Sequence, residues 1–161
     1  MPEEMEQHSR DYAERLAKEL RNRLEQAFRP DTAAQGLEGN VPSAGHCAVA
    51  SVVVQNILGG ELASAIVGGI SHWFNRIRFG DRVFDIDLTA DQFGNGPILI
   101  ADSNQLYPGT RVRLSQDLTV ETLLRAALLA RRAGFDKTHS KLEETIRAKT
   151  ASTSFFPHPV K

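Results

Sequence analysis

The sequence predicts an α+β protein in which a central helix packs on an antiparallel sheet and further helices flank that core. Three observations predict this class: an amphipathic N-terminal segment, an apolar segment that stops at two glycines, and two extended segments joined by a short turn. With 161 residues, of which 41% are hydrophobic, the chain is long enough to build one substantial core. We therefore expect a single domain over residues 1–161, with a helix at 1–30, a core at 42–115, C-terminal helices at 116–150 and a tail at 151–161.

The N-terminal helix is indicated by apolar residues that recur every four positions in an otherwise charged segment. This stripe consists of Tyr12, Leu16, Leu20, Leu24 and Phe28. Pro30 and Asp31 end the pattern, and the glycine-containing segment 32–42 predicts a loop. Because such a stripe needs a covering surface, we expect it to pack on the domain core or, alternatively, to form the seam of a homodimer.

The central helix is predicted over Cys47–Leu58, which reads CAVASVVVQNIL. Its valines would also suit a strand. Length favours the helix, because the segment runs for twelve residues before it stops at Gly59 and Gly60, and a buried strand is usually shorter.

The sheet is predicted from four extended segments. They are 72–79, 82–88, 96–101 and 111–114. The first two flank Gly80 and Asp81, which stand where a two-residue hairpin turn belongs, so these strands should pair antiparallel. A turn at Tyr107, Pro108 and Gly109 separates the last two.

The C-terminal part of the chain is predicted to be helical. A segment rich in leucine and alanine over 119–133 ends at Gly134, and Ser140 to Glu143 have the spacing of a capping box that starts another helix. From Ala151 onward no period is visible, so we expect a loose or locally docked tail.

Composition and charge exclude several function classes. Nineteen basic against twenty acidic residues give a net charge of −1, which argues against a nucleic-acid or anionic-membrane partner. The longest nearly apolar stretch, 47–54, is far shorter than the about 20 residues of a membrane span, and the acidic start lacks the pattern of a secretory signal. We expect a cytoplasmic protein.

The single cysteine, Cys47, has two interpretations. It cannot form an intrachain disulfide, and zinc signatures with two or more thiolates are excluded. At a helix start, unpaired amides and the positive end of the helix dipole favour a reactive thiolate. Free cysteines are also common as inert core residues, so position alone leaves both interpretations open.

The predicted hairpin brings a histidine and an aspartate to one face of the sheet. Pairing about Gly80 and Asp81 sets Arg76 opposite Asp85 and makes Asp87 the diagonal neighbour of His72, about 7–8 Å away along the backbone. An odd loop or a bulge would separate them. Because Asp85 faces Arg76, Asp87 is left for the histidine. A lone strand histidine is usually structural, but a cysteine, a histidine and an aspartate in this order supply a nucleophile, a base and an orienting group.

Three sequence blocks resemble the bacterial YunG-like family: GHCAVASVVVQNILGGEL, SHWFNRI and DLTADQF. The residues that fit its pattern are Gly45, Cys47, Gln55, Gly59, Gly60, Glu61, Ser71, His72, Asn75, Arg76, Asp87, Leu88, Thr89, Gln92 and Phe93. The blocks span residues 45–93, about a third of the chain. The resemblance implies a papain-like or NlpC/P60-like core with Cys47, His72 and Asp87 in the triad positions. His46 stands where glutamine is expected, although histidine can still donate a hydrogen bond.

These residues together lead us to expect acyl transfer through a thioester on Cys47, without a cofactor or a metal ion. The substrate would be a peptide or a small amide or thioester, and water or an amine acceptor would decide between hydrolase and acyltransferase. The backbone amide of Cys47 would hold the oxyanion together with Asn40 or His46. Arg76 could bind a substrate carboxylate, although pairing with Asp85 is favoured.

Two alternatives stay open at this point. One is a catalytically silent binding or adaptor protein that keeps the papain-like core for packing. The other is a zinc site, for which the ligands would be His46, Cys47, His72 and Asp87, although no known ligand spacing is present.

Overall fold

The α+β class is confirmed in the computed structural model, which describes residues 2–155 except 35, 37 and 38. The helices in this part of the chain are α1 (Pro2–Ala27), α2 (Cys47–Leu58), α3 (Val120–Arg132) and α4 (Asp136–Phe155). The strands are β1 (Glu61–Val67), β2 (Ile70–Phe79), β3 (Arg82–Asp87), β4 (Leu99–Asp102) and β5 (Arg111–Arg113). Short 3-10 helices cover Ala90–Phe93 and Ser115–Asp117.

The five strands form one antiparallel sheet in the order β4-β3-β2-β1-β5. The predicted register of the β2–β3 hairpin is confirmed, since Arg76 pairs with Asp85 and Phe79 with Arg82 across the turn. Two-residue turns fix register because the strands can pair in only one way around them.

Strand β1 was absent from the sequence-based prediction, which is wrong on this point. It forms a second hairpin with β2 around Gly68 and Gly69, and the last pair before the turn joins Val67 to Ile70. A glycine pair between two apolar segments is a hairpin signal, and it marks the start of β2 at Ile70 rather than at position 72.

Helix α1 packs its apolar face on the core of the same chain, the first of the two expected arrangements. The apolar residues buried on this face are Ala13, Ala17, Leu20, Leu24 and Ala27. A strict four-residue spacing drifts around a helix of 3.6 residues per turn, so Tyr12 leaves this face. Its side chain is 49% exposed and its ring meets Phe79 edge-on.

The C-terminal helices differ from the prediction at two points. Helix α3 starts after Thr119, whose side chain accepts the Thr122 N–H, as expected of a capping residue. Helix α4, however, begins at Asp136 rather than at Ser140, because the chain reverses at Gly134 and the Phe135 carbonyl accepts the first helical hydrogen bond. Thus the Ser140 capping box lies within the helix.

The predicted tail is helical as far as it is described. Helix α4 runs through 151–155, since no glycine or proline interrupts the chain before Pro157. The remainder of the predicted tail, 156–161, lies outside the described residues. Among the described helices, none has the length and apolar character needed to cross a membrane.

The two faces of the sheet are covered differently. Leu62, Ile77 and Phe84 join the large core formed with the helices. On the other face, Phe74 packs with Tyr107 in a smaller cluster. Because β4 and β5 lie at opposite edges, the connection between them, residues 103–110, must cross the sheet, and it brings Tyr107 onto this second face. We call residues 103–110 the crossing connection.

Candidate functional site

Asp87, the last residue of β3, is fully buried and accepts hydrogen bonds from four donors. One oxygen, Oδ1, accepts the backbone N–H of Thr89 at 2.9 Å and the Thr89 hydroxyl at 3.2 Å. The other, Oδ2, accepts from His72 Nε2 at 2.6 Å and from the hydroxyl of Tyr107. Every group around the Asp87 carboxylate is a hydrogen-bond donor, and an ionised carboxylate can only accept. The four hydrogen bonds together fix its orientation.

His72 lies on β2 and is 1% exposed. The ring of Phe93 meets the imidazole edge-on with centroids 4.7 Å apart, and Tyr107 does the same at 5.7 Å. With Nε2 donating to Asp87, the remaining ring nitrogen is Nδ1, which has no partner of normal hydrogen-bond geometry among the described residues. The ring is therefore held in one orientation with one nitrogen free for chemistry.

Cys47 is the third residue of the predicted triad. It is the first residue of α2 and is partly exposed. Strand β3 pairs with β2 only from Asn75 onward, so His72 lies where β2 has no strand neighbour on that side. The Cys47 thiol helps to raise the pKa of His72, while Nδ1 has no hydrogen-bond partner among the described residues.

The protonation of His72 follows from its neighbours. Burial by itself lowers the pKa of His72, but the hydrogen bonds and charges of Asp87 and Cys47 outweigh burial and raise the pKa to about 9. At neutral pH the ring is therefore an imidazolium that lies between a carboxylate and a thiol.

His46 is placed away from this chemistry. Its Nδ1 donates to the Ala44 carbonyl at 2.9 Å, its Nε2 lies 2.7 Å from the Thr32 hydroxyl, and its ring stacks on Phe28. Burial lowers the pKa of His46, helped by the charges of nearby arginines, so the ring is neutral at neutral pH. The Thr32 hydroxyl beside Nε2 also bonds the Arg29 carbonyl. With both nitrogens engaged, His46 is not available as an oxyanion donor.

Arg76 forms the ion pair that the register favours. Its guanidinium donates to both carboxylate oxygens of Asp85, at 2.8 and 3.1 Å, and also to the Asn104 side chain at 2.7 Å. Asp85 is fully buried and also accepts the Asn104 backbone N–H. Arg76 thus ties the crossing connection to the sheet, and the structure does not bring it to the Cys47 thiol as a substrate contact.

Asn40 is exposed, and its side chain makes no hydrogen bond to any described residue. It lines a cavity of about 290 Å³ that Phe93 and Gly45 also line. Phe93 contacts the His72 ring, and Gly45 lies two positions before Cys47. Asn40 therefore remains available for contact with a substrate.

Tyr107 is a site residue that the sequence did not reveal. The sequence pattern predicts it only as part of a turn, and no local pattern links it to Asp87. It reaches Asp87 because the crossing connection spans the sheet. Burial, followed by the charge of Asp87, raises the pKa of Tyr107, so its hydroxyl keeps its proton and donates.

A second missed residue, Arg21 on α1, is 2% exposed and organises the chain on both sides of the site. Its guanidinium donates to the Leu88 carbonyl at 2.7 Å, the Pro97 carbonyl at 3.2 Å, and Asp91 at 2.9 and 2.8 Å. Leu88 directly follows Asp87 in the chain. The sequence signal for Arg21 was its place as a charged residue in an otherwise apolar helix face. A buried arginine there needs several acceptors, which other parts of the chain must supply.

Asp91 connects this arginine to the loop that precedes Cys47. It accepts the Ser43 hydroxyl, and the neighbouring Gln92 donates to the Ser43 carbonyl at 2.8 Å. Burial raises the pKa of Asp91, but the hydrogen bonds from Arg21 and Ser43 outweigh it and the pKa is lowered. The ionised Asp91 therefore holds the loop that precedes Cys47 against the turn that follows Asp87.

Other residues of the three blocks join the elements that carry the site. Asn75 donates to the Ser51 carbonyl at 2.9 Å and so ties β2 to α2. Gly60 has φ +79°, and a Cβ there would lie 2.4 Å from the Arg76 carbonyl oxygen. Only glycine allows this approach of two backbones.

The zinc alternative has no support in the described part of the chain, where no group of three His, Cys, Asp or Glu residues is arranged to hold a metal ion. His46, one of the four ligands considered, has both ring nitrogens bound to protein partners.

The comparison with known proteins places the chain in a family. The sequence model described as "YunG protein" matches residues 16–132, nearly three quarters of the chain. No curated protein and no solved structure matches. The chain belongs to the YunG family, and the match includes Arg21 and Tyr107 as well as the three blocks.

Proposed function

We propose that this YunG-family protein is a cysteine-dependent acyl-transfer enzyme of papain-like type, in which Cys47 is the nucleophile, His72 the acid and base, and Asp87 the orienting group. One observation carries the proposal: a buried imidazolium donates one ring nitrogen to a fully hydrogen-bonded carboxylate and leaves the other for a cysteine at a helix start. This arrangement supplies the three roles that nucleophilic acyl transfer requires.

Acylation starts from a Cys47 thiolate and a His72 imidazolium. The sulfur attacks the carbonyl carbon of an amide, ester or thioester, a C–S bond forms, and the carbonyl electron pair moves to the oxygen. When the intermediate collapses, the bond to the leaving group breaks and His72 Nδ1 gives its proton to that group. The product is a thioester on Cys47.

Deacylation returns the proton. His72 Nδ1 takes a proton from water, the resulting hydroxide attacks the thioester carbon, and Cys47 leaves as a thiolate. An amine acceptor would follow the same route and make the protein an acyltransferase. Asp87 keeps the ring in place through both steps, and Tyr107 and Thr89 keep Asp87 in place.

The oxyanion is stabilised by donors near the nucleophile. The N–H of Cys47 belongs to the first turn of α2, whose amides have no acceptor within the helix. Asn40 is the second donor in this proposal, since its amide is free and lines the adjoining cavity.

Alkylation with iodoacetamide tests the thiolate, and the chain has only one cysteine to label. A free cysteine with a pKa near 8.5 is less than about 1% thiolate at pH 6. We expect wild-type Cys47 to alkylate at least tenfold faster at pH 6 than Cys47 in the His72→Gln variant. Similar slow rates in both proteins would contradict the proposal.

Acyl trapping tests the reaction itself. With p-nitrophenyl acetate, intact mass spectrometry should detect an acetyl adduct on the wild type, and Cys47→Ser serves as the matched control. If neither protein forms an adduct with activated esters or thioesters, the alternative of a catalytically silent binding or adaptor protein describes the chain better.

A further inference from the structure

The cavity beside the candidate site has a chemical character of its own. Its principal lining residues are Asn40, Val41, Ala44, Ile70, Gln92 and Phe93, and we call it the loop cavity. None of its described lining residues carries a charge. Its volume of about 290 Å³ lies just below the range for small-molecule sites, about 300–1,000 Å³. It can hold one side chain or a short acyl chain.

The loop cavity lies between segments that lead to both reacting groups. Phe93 forms part of its wall and also contacts the His72 ring, with centroids 4.7 Å apart. On the other side, the wall is the loop that leads into Cys47. A group bound in the cavity therefore lies against the residue that contacts the imidazole and against the loop that leads to the sulfur.

The wall of the cavity is built and fixed. Gln92 donates to the Ser43 carbonyl at 2.8 Å, and Asp91 accepts the Ser43 hydroxyl, so the loop is held against the 3-10 helix that carries Phe93. Asn40 supplies a free amide at the surface of the cavity. The site combines an apolar interior with one polar group, as small-molecule sites commonly do.

We propose that the loop cavity is the acyl subsite of the enzyme and that it takes a short, uncharged, mainly apolar acyl group. This inference rests on the proposed function and adds the substrate class. Anionic acyl groups are disfavoured, because a carboxylate in the cavity would have no cationic partner among the described lining residues.

A matched pair of esters tests the substrate class. Butyrate and succinate p-nitrophenyl esters carry acyl groups of four carbons and differ in a terminal methyl against a carboxylate. For the wild type we expect kcat/KM to rise about fourfold for each methylene from acetyl to butyryl, and the butyryl ester to exceed the succinyl ester at least tenfold. Rates are corrected with the Cys47→Ser protein.

A lysine placed at the edge of the loop cavity tests whether the acyl group binds there. Ile70 lines the cavity and is 48% exposed, so a lysine there can keep its head group hydrated. Ile70→Lys should lower the butyryl-to-succinyl ratio at least tenfold. Ile66→Lys is the matched control, since Ile66 lies on the same hairpin, is 67% exposed and does not line the cavity. It should leave the ratio within about twofold.

The failures of the two proposals can be distinguished. Equal wild-type rates on the butyryl and succinyl esters, or the same ratio in Ile70→Lys and Ile66→Lys, would overturn the loop cavity as acyl subsite while Cys47 is still acylated. If no ester acylates Cys47 in the wild type, the proposed function fails and this inference fails with it.

Discussion

Tyr107 donates its hydroxyl to the carboxylate oxygen of Asp87 that also accepts the ring N–H of His72. The two donors share the charge on one oxygen, so the strength of the His72 contact depends on a residue from the crossing connection. Tyr107 is in this sense a positioning residue for the imidazole.

Tyr107→Phe should raise the pKa of His72 further, because the carboxylate oxygen then has one donor fewer and attracts the imidazolium more strongly. The free energy of unfolding should fall by about 1–3 kcal/mol, as for the loss of a buried hydrogen bond to a charged group. NMR titration of the histidine ring protons and urea unfolding measure the two effects. A lower His72 pKa in the variant would show that the hydroxyl does not compete for this oxygen.

The two buried histidines should titrate in opposite directions. The pKa of His72 is raised to about 9 and that of His46 is lowered from its usual value near 6.5, so at pH 7.5 NMR should show one protonated and one neutral ring. Two neutral rings at that pH would contradict the assignment.

The raised pKa of His72 also predicts a dependence of stability on pH. Because the folded-state pKa lies above the unfolded value near 6.5, the stabilisation is fully present below pH 6.5 and is lost as pH rises through about 9. A tenfold difference in proton affinity between the folded and unfolded states corresponds to about 1.4 kcal/mol. Urea unfolding from pH 6 to 10 should show this loss in the wild type and a smaller one in His72→Gln. Parallel curves would mean that His72 is not the group responsible.

Arg21→Met should lower the free energy of unfolding by about 3–5 kcal/mol, because it leaves Asp91, the buried Leu88 carbonyl and the Pro97 carbonyl without their donor. Arg15→Met is the control on the same helix, since Arg15 is exposed, and it should change stability by less than about 0.5 kcal/mol. Chemical unfolding of both variants makes the comparison. Equal stabilities would refute the role given to Arg21.

Gly60→Ala should destabilise the protein more than Gly59→Ala does. Both glycines have φ near +78°, a range that favours glycine, so both substitutions carry backbone strain. Only at position 60 would the new Cβ meet another atom, the Arg76 carbonyl oxygen at 2.4 Å, whereas no described atom lies within 4 Å at position 59. We expect an additional loss of about 1–3 kcal/mol in thermal or urea unfolding. A larger loss at Gly59 would exclude this explanation.

Local signals were enough to predict the central parts of the site. The apolar segment that stops at Gly59 predicted α2, and the turn at Gly80 fixed the register that places Asp87 beside His72. Both are properties of neighbouring residues in the chain, and a two-residue turn leaves little freedom in pairing.

The contacts that fix the site could not be derived in this way. Tyr107 reaches Asp87 because β4 and β5 lie at opposite edges of the sheet, and strand order is a property of the whole fold. Arg21 finds its acceptors about 70 positions further along the chain. The capping-box pattern at Ser140 failed for a related reason, since the reversal at Gly134 had already started the helix at Asp136.

The crossing connection sets a lower limit on the length of a fragment that keeps the site. A truncated chain that ended at Phe93 would contain the three recognisable blocks, yet the polar contact between aspartate and imidazole would be open to water. Tyr107 covers that contact, and the connection that carries Tyr107 is held at its C-terminal end by the last strand, β5. Engineering a smaller version of this protein therefore has to keep the chain at least to Arg113.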